Sequence, residues 1–192
     1  MKMKNVAISV VASLGLFAAA ANAATTTSTV SGGTVHFTGE IVSGACAVST
    51  DTADQTVNLG QYTTGQLASS GATTTPVPFS IKLINCSSDT YTTAKINFQG
   101  STLSGNSSAL AVNSAGSNAT SATGVGIQIL DNTSAVVALN TDTGYDSTTL
   151  AQTTGGDSNA TNIFNFSAQY LSTGSATAGQ ADADATFTIT YS

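Results

Sequence analysis

Apolar and polar residues alternate strictly in two places, one near each end of the chain. From Val35 to Ile41 the odd-numbered positions are apolar or glycine, and from Ala183 to Tyr191 the odd-numbered positions are again apolar, with polar residues between them. Successive side chains of a strand point to opposite faces, so a repeat of two residues predicts a strand with one buried face. Both segments are therefore predicted to be strands.

The sequence between them continues in short β-branched runs separated by turn residues, and no segment keeps an apolar period of 3.6 over three turns. Long Ser/Asn/Gly connections are expected at Gly100 to Ser108 and Asn113 to Thr123. This organisation predicts an all-β immunoglobulin-like sandwich. The predicted strands are Gln55 to Gln61, Val77 to Ile84, Ala94 to Phe98, Gly124 to Leu130, Ala135 to Leu139, Ile163 to Tyr170 and Ala183 to Tyr191.

The first 23 residues are typical of a secretory signal peptide. Lys2 and Lys4 precede an apolar run from Val6 to Ala21, and Ala21-Asn22-Ala23 supplies the small residues at a cleavage site. A membrane anchor would need about 20 apolar residues followed by a polar stop, and this run is shorter. We therefore expect export without membrane insertion and a mature chain that begins at Ala24.

Charge argues against several classes of partner. Without the signal peptide, only Lys82 and Lys95 oppose ten Asp and Glu, which gives a formal net charge of −8, and there is no arginine. Such a chain can neutralise few phosphates, so nucleic acid and anionic membranes are poor partners. Thr, Ser, Ala, Gly and Asn dominate instead, and a surface of this kind suits side-by-side packing in an assembly.

The chain has two cysteines, Cys46 and Cys86. In an exported protein the expected state is one disulfide between them. Two reactive free thiols would need a cationic or histidine neighbour that lowers a thiol pKa, and the chain offers a single histidine and no arginine. The disulfide is the favoured interpretation.

Residues that could carry catalysis or bind a metal are few. His36 is the only histidine, which excludes a cluster of histidine ligands and leaves a Ser-His-Asp triad dependent on the first alternating segment. Asp182 and Asp184 could bind calcium, but two carboxylates without a glycine-pivoted loop are more simply solvated turn residues. We expect no catalytic residue, no metal and no cofactor. Asn-x-Ser/Thr sequons, such as those at Asn85, Asn106, Asn118, Asn132 and Asn159, reflect composition.

The last alternating segment raises the question of what covers its edge. The sequence stops one residue after Tyr191, so we expect no later strand to cover the edge of this one, and an open edge is normally covered or charged. Residues 24–33 are small and polar, with no means of burying themselves. Val35 to Ile41 could be the first strand of its own sandwich or an arm that pairs elsewhere, and the pattern alone leaves both possibilities open.

The chain resembles the pilins of the chaperone–usher pathway, and among them the major subunits of type 1 fimbriae. The resemblance includes two positions near the end, Gly179, fourteenth from the end, and the penultimate Tyr191. It runs along the whole chain and rests also on Gly32 to Glu40, Ala45 to Val48, Asp54 to Gln61, Asn85-Cys86, Gly124 to Asp131 and Ala181 to Phe187.

This resemblance implies an incomplete immunoglobulin-like β-sandwich that lacks its C-terminal strand and is completed by a donor strand from a neighbouring subunit. It implies a signal peptide at 1–23, a donor-strand arm at 24–42 and a pilin domain at 43–192. The donor residues would be Val35, Phe37, Gly39 and Ile41. The chaperone-facing and acceptor edge would be Gly179, Ala185, Phe187, Ile189 and Tyr191.

The resemblance also implies partners and a location. A periplasmic pilus chaperone would fill the groove first, an outer-membrane usher would exchange it for the next subunit's arm, and identical subunits would form a helical homopolymer at the cell surface. Adaptor pilins and a tip adhesin would complete the fimbria. A tip adhesin would need a receptor-binding domain ahead of the pilin domain, whereas an adaptor pilin shares this architecture, and the resemblance favours the major rod subunit.

Overall fold

The computed structural model describes residues 32–41, 45–86, 91–114, 119–141, 150 and 160–192. The predicted signal peptide and the first part of the predicted arm lie outside the described residues. The chain divides into two units, Met1–Glu40 and Ile41–Ser192. Residues 32–40 of the first unit belong to no helix or strand, and their side chains are exposed.

The described part of the second unit contains eight strands and one short helix. Within this described part α1 is the only helix, and Ser49 separates it from the two-residue strand β1. The elements are β1 Ala47–Val48, α1 Thr50–Ala53, β2 Val77–Cys86, β3 Ala94–Gln99, β4 Thr102–Leu103, β5 Asn106–Ala111, β6 Val125–Leu130, β7 Ala160–Ser172 and β8 Thr186–Tyr191.

The strands form two sheets. The larger has the order β1-β2-β7-β6-β5-β4, and the smaller consists of β3 and β8. All of these strand pairs are antiparallel. The all-β class and the two-sheet sandwich predicted from the sequence are confirmed.

The core lies between the sheets and is rich in phenylalanine. On β2 and β7, Phe79 is directly opposite Phe166, and their ring centroids are 5.6 Å apart. Phe98 of β3 meets Phe166 edge to face at 5.0 Å, which joins the two sheets. Offset and edge-to-face pairs add to the apolar burial that holds a sandwich together.

The Cys46–Cys86 disulfide predicted from the sequence is present. It joins the chain just before β1 to the last residue of β2. Both cysteines are buried and belong to the main core. The disulfide therefore links the beginning of β1 to the end of β2.

Most of the predicted strands are present. The predictions at Val77 to Ile84, Ala94 to Phe98, Gly124 to Leu130 and Ile163 to Tyr170 correspond to β2, β3, β6 and β7. The last predicted strand is shorter than expected, because β8 begins at Thr186 rather than Ala183.

Two predicted strands are wrong. Ala135 to Leu139 makes only isolated bridges, Leu130 with Val136 and Phe98 with Leu139, because this segment passes from one sheet to the other and pairs with each at one residue. Gln55 to Gln61 forms no strand.

Four elements were missed, namely the two-residue strands β1 and β4, the strand β5 and the helix α1. Asn106–Ala111 forms β5 inside a stretch predicted to begin as a long connection. Ala109 and Leu110 are its only buried residues, so its apolar pattern is too short to reveal a strand. The helix α1 has no buried residue, and no apolar period could have indicated it.

Candidate functional site

One edge of β8 has no strand partner among the described residues. Its other edge pairs with β3 over its whole length, from Gln99 opposite Thr186 to Ala94 opposite Tyr191. Backbone N–H and C=O groups along a free edge are ready to bind another strand. The free edge of β8 is therefore available to pair with a further strand.

Beside this edge the core is incompletely covered. Phe187, Ile189 and Tyr191 point inward and pack against the main core, yet each remains partly exposed. The ring of Phe187 lies 6.4 Å from that of Phe98. Inward positions of a complete sandwich are normally buried on both sides, so these half-buried side chains mark an open apolar surface along β8.

A second extended segment contacts the same core. In Gln55–Gln61, Val57 and Leu59 are half-buried while their neighbours are exposed, and Leu59 packs against the main core cluster. The segment has the alternation of a strand, but the only hydrogen bond found within it joins the Gly60 N–H to Asn58 Oδ1. The sequence correctly indicated that half-buried and exposed side chains alternate in this segment, but the segment does not pair as a strand.

Side-chain hydrogen bonds explain why the chain leaves β2 after β1. Thr52 Oγ1 accepts from the Lys82 N–H at 3.1 Å, and Gln55 Nε2 donates to the Ser80 carbonyl at 3.1 Å. These contacts take the place of a backbone ladder at the edge of β2. The residues that follow, 56–61, form no strand with β2.

The end of β8 is held by several hydrogen bonds. The Tyr191 hydroxyl donates to the Cys46 carbonyl at 3.0 Å, and burial raises the pKa of Tyr191 above its ordinary value of 10.0. The backbone N–H groups of Thr92 and Thr93 donate to the Ser192 carbonyl at 3.0 and 2.9 Å. The last strand is thus tied both to β3 and to the disulfide-bonded region.

Two residues of the sequence-predicted acceptor edge lie outside β8. A Cβ at Gly179 would stand 2.4 Å from the Ala122 nitrogen, so glycine is required there by the close approach of backbone at 120–122. Ala185 precedes β8 and is exposed. Only Phe187, Ile189 and Tyr191 of that set line the open surface.

The first alternating segment exposes its apolar side chains. Val35, Phe37 and Ile41 are 71%, 91% and 100% exposed. No atom lies within 4 Å of a Cβ built at Gly39. A group of large exposed apolar side chains is typical of a surface that binds another protein.

Two negative findings concern only the residues that the structure describes. In that part of the chain, no group of three or more His, Cys, Asp or Glu is arranged to hold a metal ion. No helix there has the length and apolar character that a membrane span requires.

A family profile described as "Fimbrial protein" matches residues 35–192. The type-1 fimbrial protein A chain of Escherichia coli K12 is 46% identical over 192 residues, which is 100% of both chains. The A chain of Salmonella typhi is 50% identical over 184 residues, covering 95% of this chain and 96% of that one. The resemblance inferred from the sequence is confirmed.

Solved structures agree with these relatives. A chaperone–usher pilus structure that addresses rod uncoiling matches with a TM-score of 0.68 at 25% identity, over 86% of this chain and 99% of that one. The P pilus rod subunit PapA shares the fold, with a TM-score of 0.61 at 22% identity, over 78% of this chain and 100% of that one. The chain therefore belongs to the fimbrial protein family, and it is a structural subunit of a fimbria.

Proposed function

We propose that this chain is the major rod subunit of a type 1-like fimbria and that it polymerises by donor-strand exchange. The arm, residues 24–42, of one copy would occupy the open surface along β8 of the next copy. One observation carries the proposal: the same chain has an open, half-buried apolar strand edge and an exposed segment with a matching apolar repeat.

The physical basis is strand addition. A strand laid along the free edge of β8 gains backbone hydrogen bonds, and its alternate side chains enter the space beside Phe187, Ile189 and Tyr191. Burying Val35, Phe37 and Ile41 of the donor contributes about 1.5 to 3 kcal/mol for each side chain. Gly39 would lie where the acceptor leaves no room for a side chain.

The extended segment Gln55–Gln61 supports this arrangement. Val57 and Leu59 have the half-buried alternation of a sheet residue, but the described chain gives the segment no ladder. A donor strand has two edges, and β8 would use only one of them. We infer that the second edge pairs with Gln55–Gln61, so that the donor closes the core between the two.

Export and assembly follow from the same proposal. Residues 1–23 would be removed as a signal peptide, and residues 43–192 would form the pilin domain. A periplasmic chaperone would cover the open surface until an outer-membrane usher brings the next arm to it. The polymer would then carry adaptor pilins and an adhesin at the cell surface, with no catalytic role and no cofactor. Relatives named as type-1 fimbrial A chains match over the full length, which favours the rod subunit over an adaptor.

The test compares neighbouring positions of one arm. In the mature chain, Phe37→Asp places a charge on the face proposed to enter the groove, whereas His36→Asp places it on the opposite face. We expect Phe37→Asp to abolish the ladder of SDS-resistant oligomers and His36→Asp to retain it. Equal ladders from the two variants would contradict the proposal.

A mixing experiment separates donor from acceptor defects. A chain with Ile189→Asp should lose its groove and keep its arm, whereas a Phe37→Asp chain should keep its groove. Neither should form SDS-resistant oligomers alone, but a mixture should give a dimer that contains one copy of each. If the mixture gives none, the assigned residues do not form one donor–acceptor pair.

A further inference from the structure

The outer face of the larger sheet is covered at one end and bare at the other. On β6 and the last part of β7, the outward side chains Gln128, Leu130, Gln169 and Leu171 are at most 9% exposed. On β2 and the first part of β7 the outward side chains are accessible, and Ile163 is 56% exposed. We call this second region the bare face. It comprises Pro78, Ser80, Lys82, Ile163 and Asn165.

The centre of the bare face pairs an isoleucine with a lysine. Lys82 lies directly opposite Ile163 in the β2–β7 register. Lys82 points outward because it alternates with the buried Ile81 and Leu83. No carboxylate of the described residues forms an ion pair with Lys82. An exposed apolar side chain beside an unpaired cation is a surface that an acidic partner can complement.

An exposed acidic segment of the same protein lies at the opposite edge of the larger sheet. Asp182 and Asp184 are both exposed, and the Asp182 backbone exchanges hydrogen bonds of 2.8 and 3.1 Å with Asn113, which follows β5. The bare face is on β2 and β7, whereas β5 and β4 end the sheet on its other side. One copy therefore presents a basic apolar patch and an acidic patch at different places.

We propose that the bare face binds a second copy of this chain through that copy's Asp182–Asp184 segment. The proposal rests on the proposed function, because it adds a lateral contact between subunits that donor strands already join. Pairing of two bare faces would place like charges on both sides of the contact, which disfavours a symmetric arrangement. The contact is therefore heterologous, and contacts of this kind propagate along a filament instead of closing as a dimer.

The first test places a charge on the apolar part of the face. Ile163→Asp is compared with Val136→Asp, since Val136 is also partly exposed, at 46%, but lies outside the bare face. Both variants should keep the SDS-resistant ladder that reports strand exchange. In electron micrographs, Ile163→Asp should lower the fraction of fibre in compact rods about tenfold or more, as expected for losing one large apolar contact per subunit, and Val136→Asp should not.

The second test reverses the charge pair. Lys82→Glu should give SDS-resistant but extended fibres, and adding Asp184→Lys in the same chain should restore compact rods. Compact rods from Ile163→Asp and Lys82→Glu would overturn the proposal, as would loss of their SDS-resistant ladder. Failure of the proposed function gives a different result, in which the ladder persists in the Phe37→Asp chain.

Discussion

The two alternating segments at the ends of the chain have the same pattern and different surroundings. In β8 the apolar side chains Phe187 and Ile189 pack against the core from one side and remain partly exposed. In the first segment Phe37 is 91% exposed. Among the described residues, strand β8 has one strand partner, β3, whereas residues 32–41 belong to no strand.

This difference shows what alternation specifies. A repeat of two residues gives a chain one apolar face, which is stable only where something covers it. It does not say whether the cover comes from the same chain. The half-covered strand and the uncovered segment each leave an apolar face open, and the proposed strand exchange between copies would cover both.

The largest effect is expected from adding a side chain at Gly39 of the first segment. Gly39→Leu should leave the thermal stability of the monomer unchanged, because no atom lies within 4 Å of a Cβ there. It should abolish polymerisation, since the donor strand could no longer seat in a shallow part of the groove. Gly32→Leu is the matched control, because Gly32 is equally open and lies before the alternating segment.

The measurements are calorimetric unfolding of the monomer and the yield of SDS-resistant oligomers. If the Gly39→Leu chain polymerises fully, Gly39 does not belong to the donor face. The segment that pairs with the open edge of β8 would then have to be a different one.

Truncating one phenylalanine in each segment sharpens the comparison. Phe187→Ala should destabilise the monomer by about 2 to 3 kcal/mol, less than the loss at a fully buried phenylalanine, because Phe187 is only half covered. Phe37→Ala should leave the monomer nearly unchanged. Urea unfolding of both variants measures the difference, and an equal loss of stability would mean that both segments belong to the monomer's core.

Sequence patterns were sufficient where a strand has several inward apolar residues. Strands β2 and β7 contain Ile81, Leu83, Phe164 and Phe166 at alternate positions, all buried, and both were predicted. For the same reason Phe187, Ile189 and Tyr191 of the candidate site could be identified. Strand β5 has only two buried residues, so pairing with β6 rather than its own pattern defines it.

The rest depends on contacts between residues far apart in the sequence. Gly179 was assigned to the acceptor edge, but the structure places it against the backbone of 120–122, which no local pattern indicates. Tyr191 and Cys46 are separated by 145 residues, and their hydrogen bond follows only from the folded arrangement. Leu59 was predicted to be a strand residue, but no sequence pattern indicated its contact with the main core.

Removing the Tyr191 hydroxyl tests how firmly β8 is held while its edge stays open. Tyr191→Phe should lower monomer stability by about 1 kcal/mol, because it removes one hydrogen bond to the Cys46 carbonyl and leaves the ring in place. Tyr91→Phe is the control, since Tyr91 packs beside the same ring at 6.1 Å. Denaturant unfolding measures both variants. Equal stabilities would show that the hydroxyl does not anchor the strand.

The smallest expected effect is a dependence of stability on alkaline pH. Burial raises the pKa of Tyr191, and burial together with the nearby Asp182 charge raises the pKa of Tyr170. Since the ordinary value is 10.0, the folded chain keeps these protons at a pH where the unfolded chain has lost them. Their stabilisation is therefore complete below about pH 10 and is lost as the pH rises through the folded-state values.

Calorimetric Tm values from about pH 8 upward should show a flat region and then a fall. The decline should be shallower in Tyr191→Phe, which retains the partly buried phenol of Tyr170. A donor strand in the groove would bury Tyr191 further, so the polymer should resist alkaline unfolding to a higher pH than the monomer. If the monomer and the polymer decline together, the inserted strand does not cover the end of β8, and the donor would have to pair closer to Phe187.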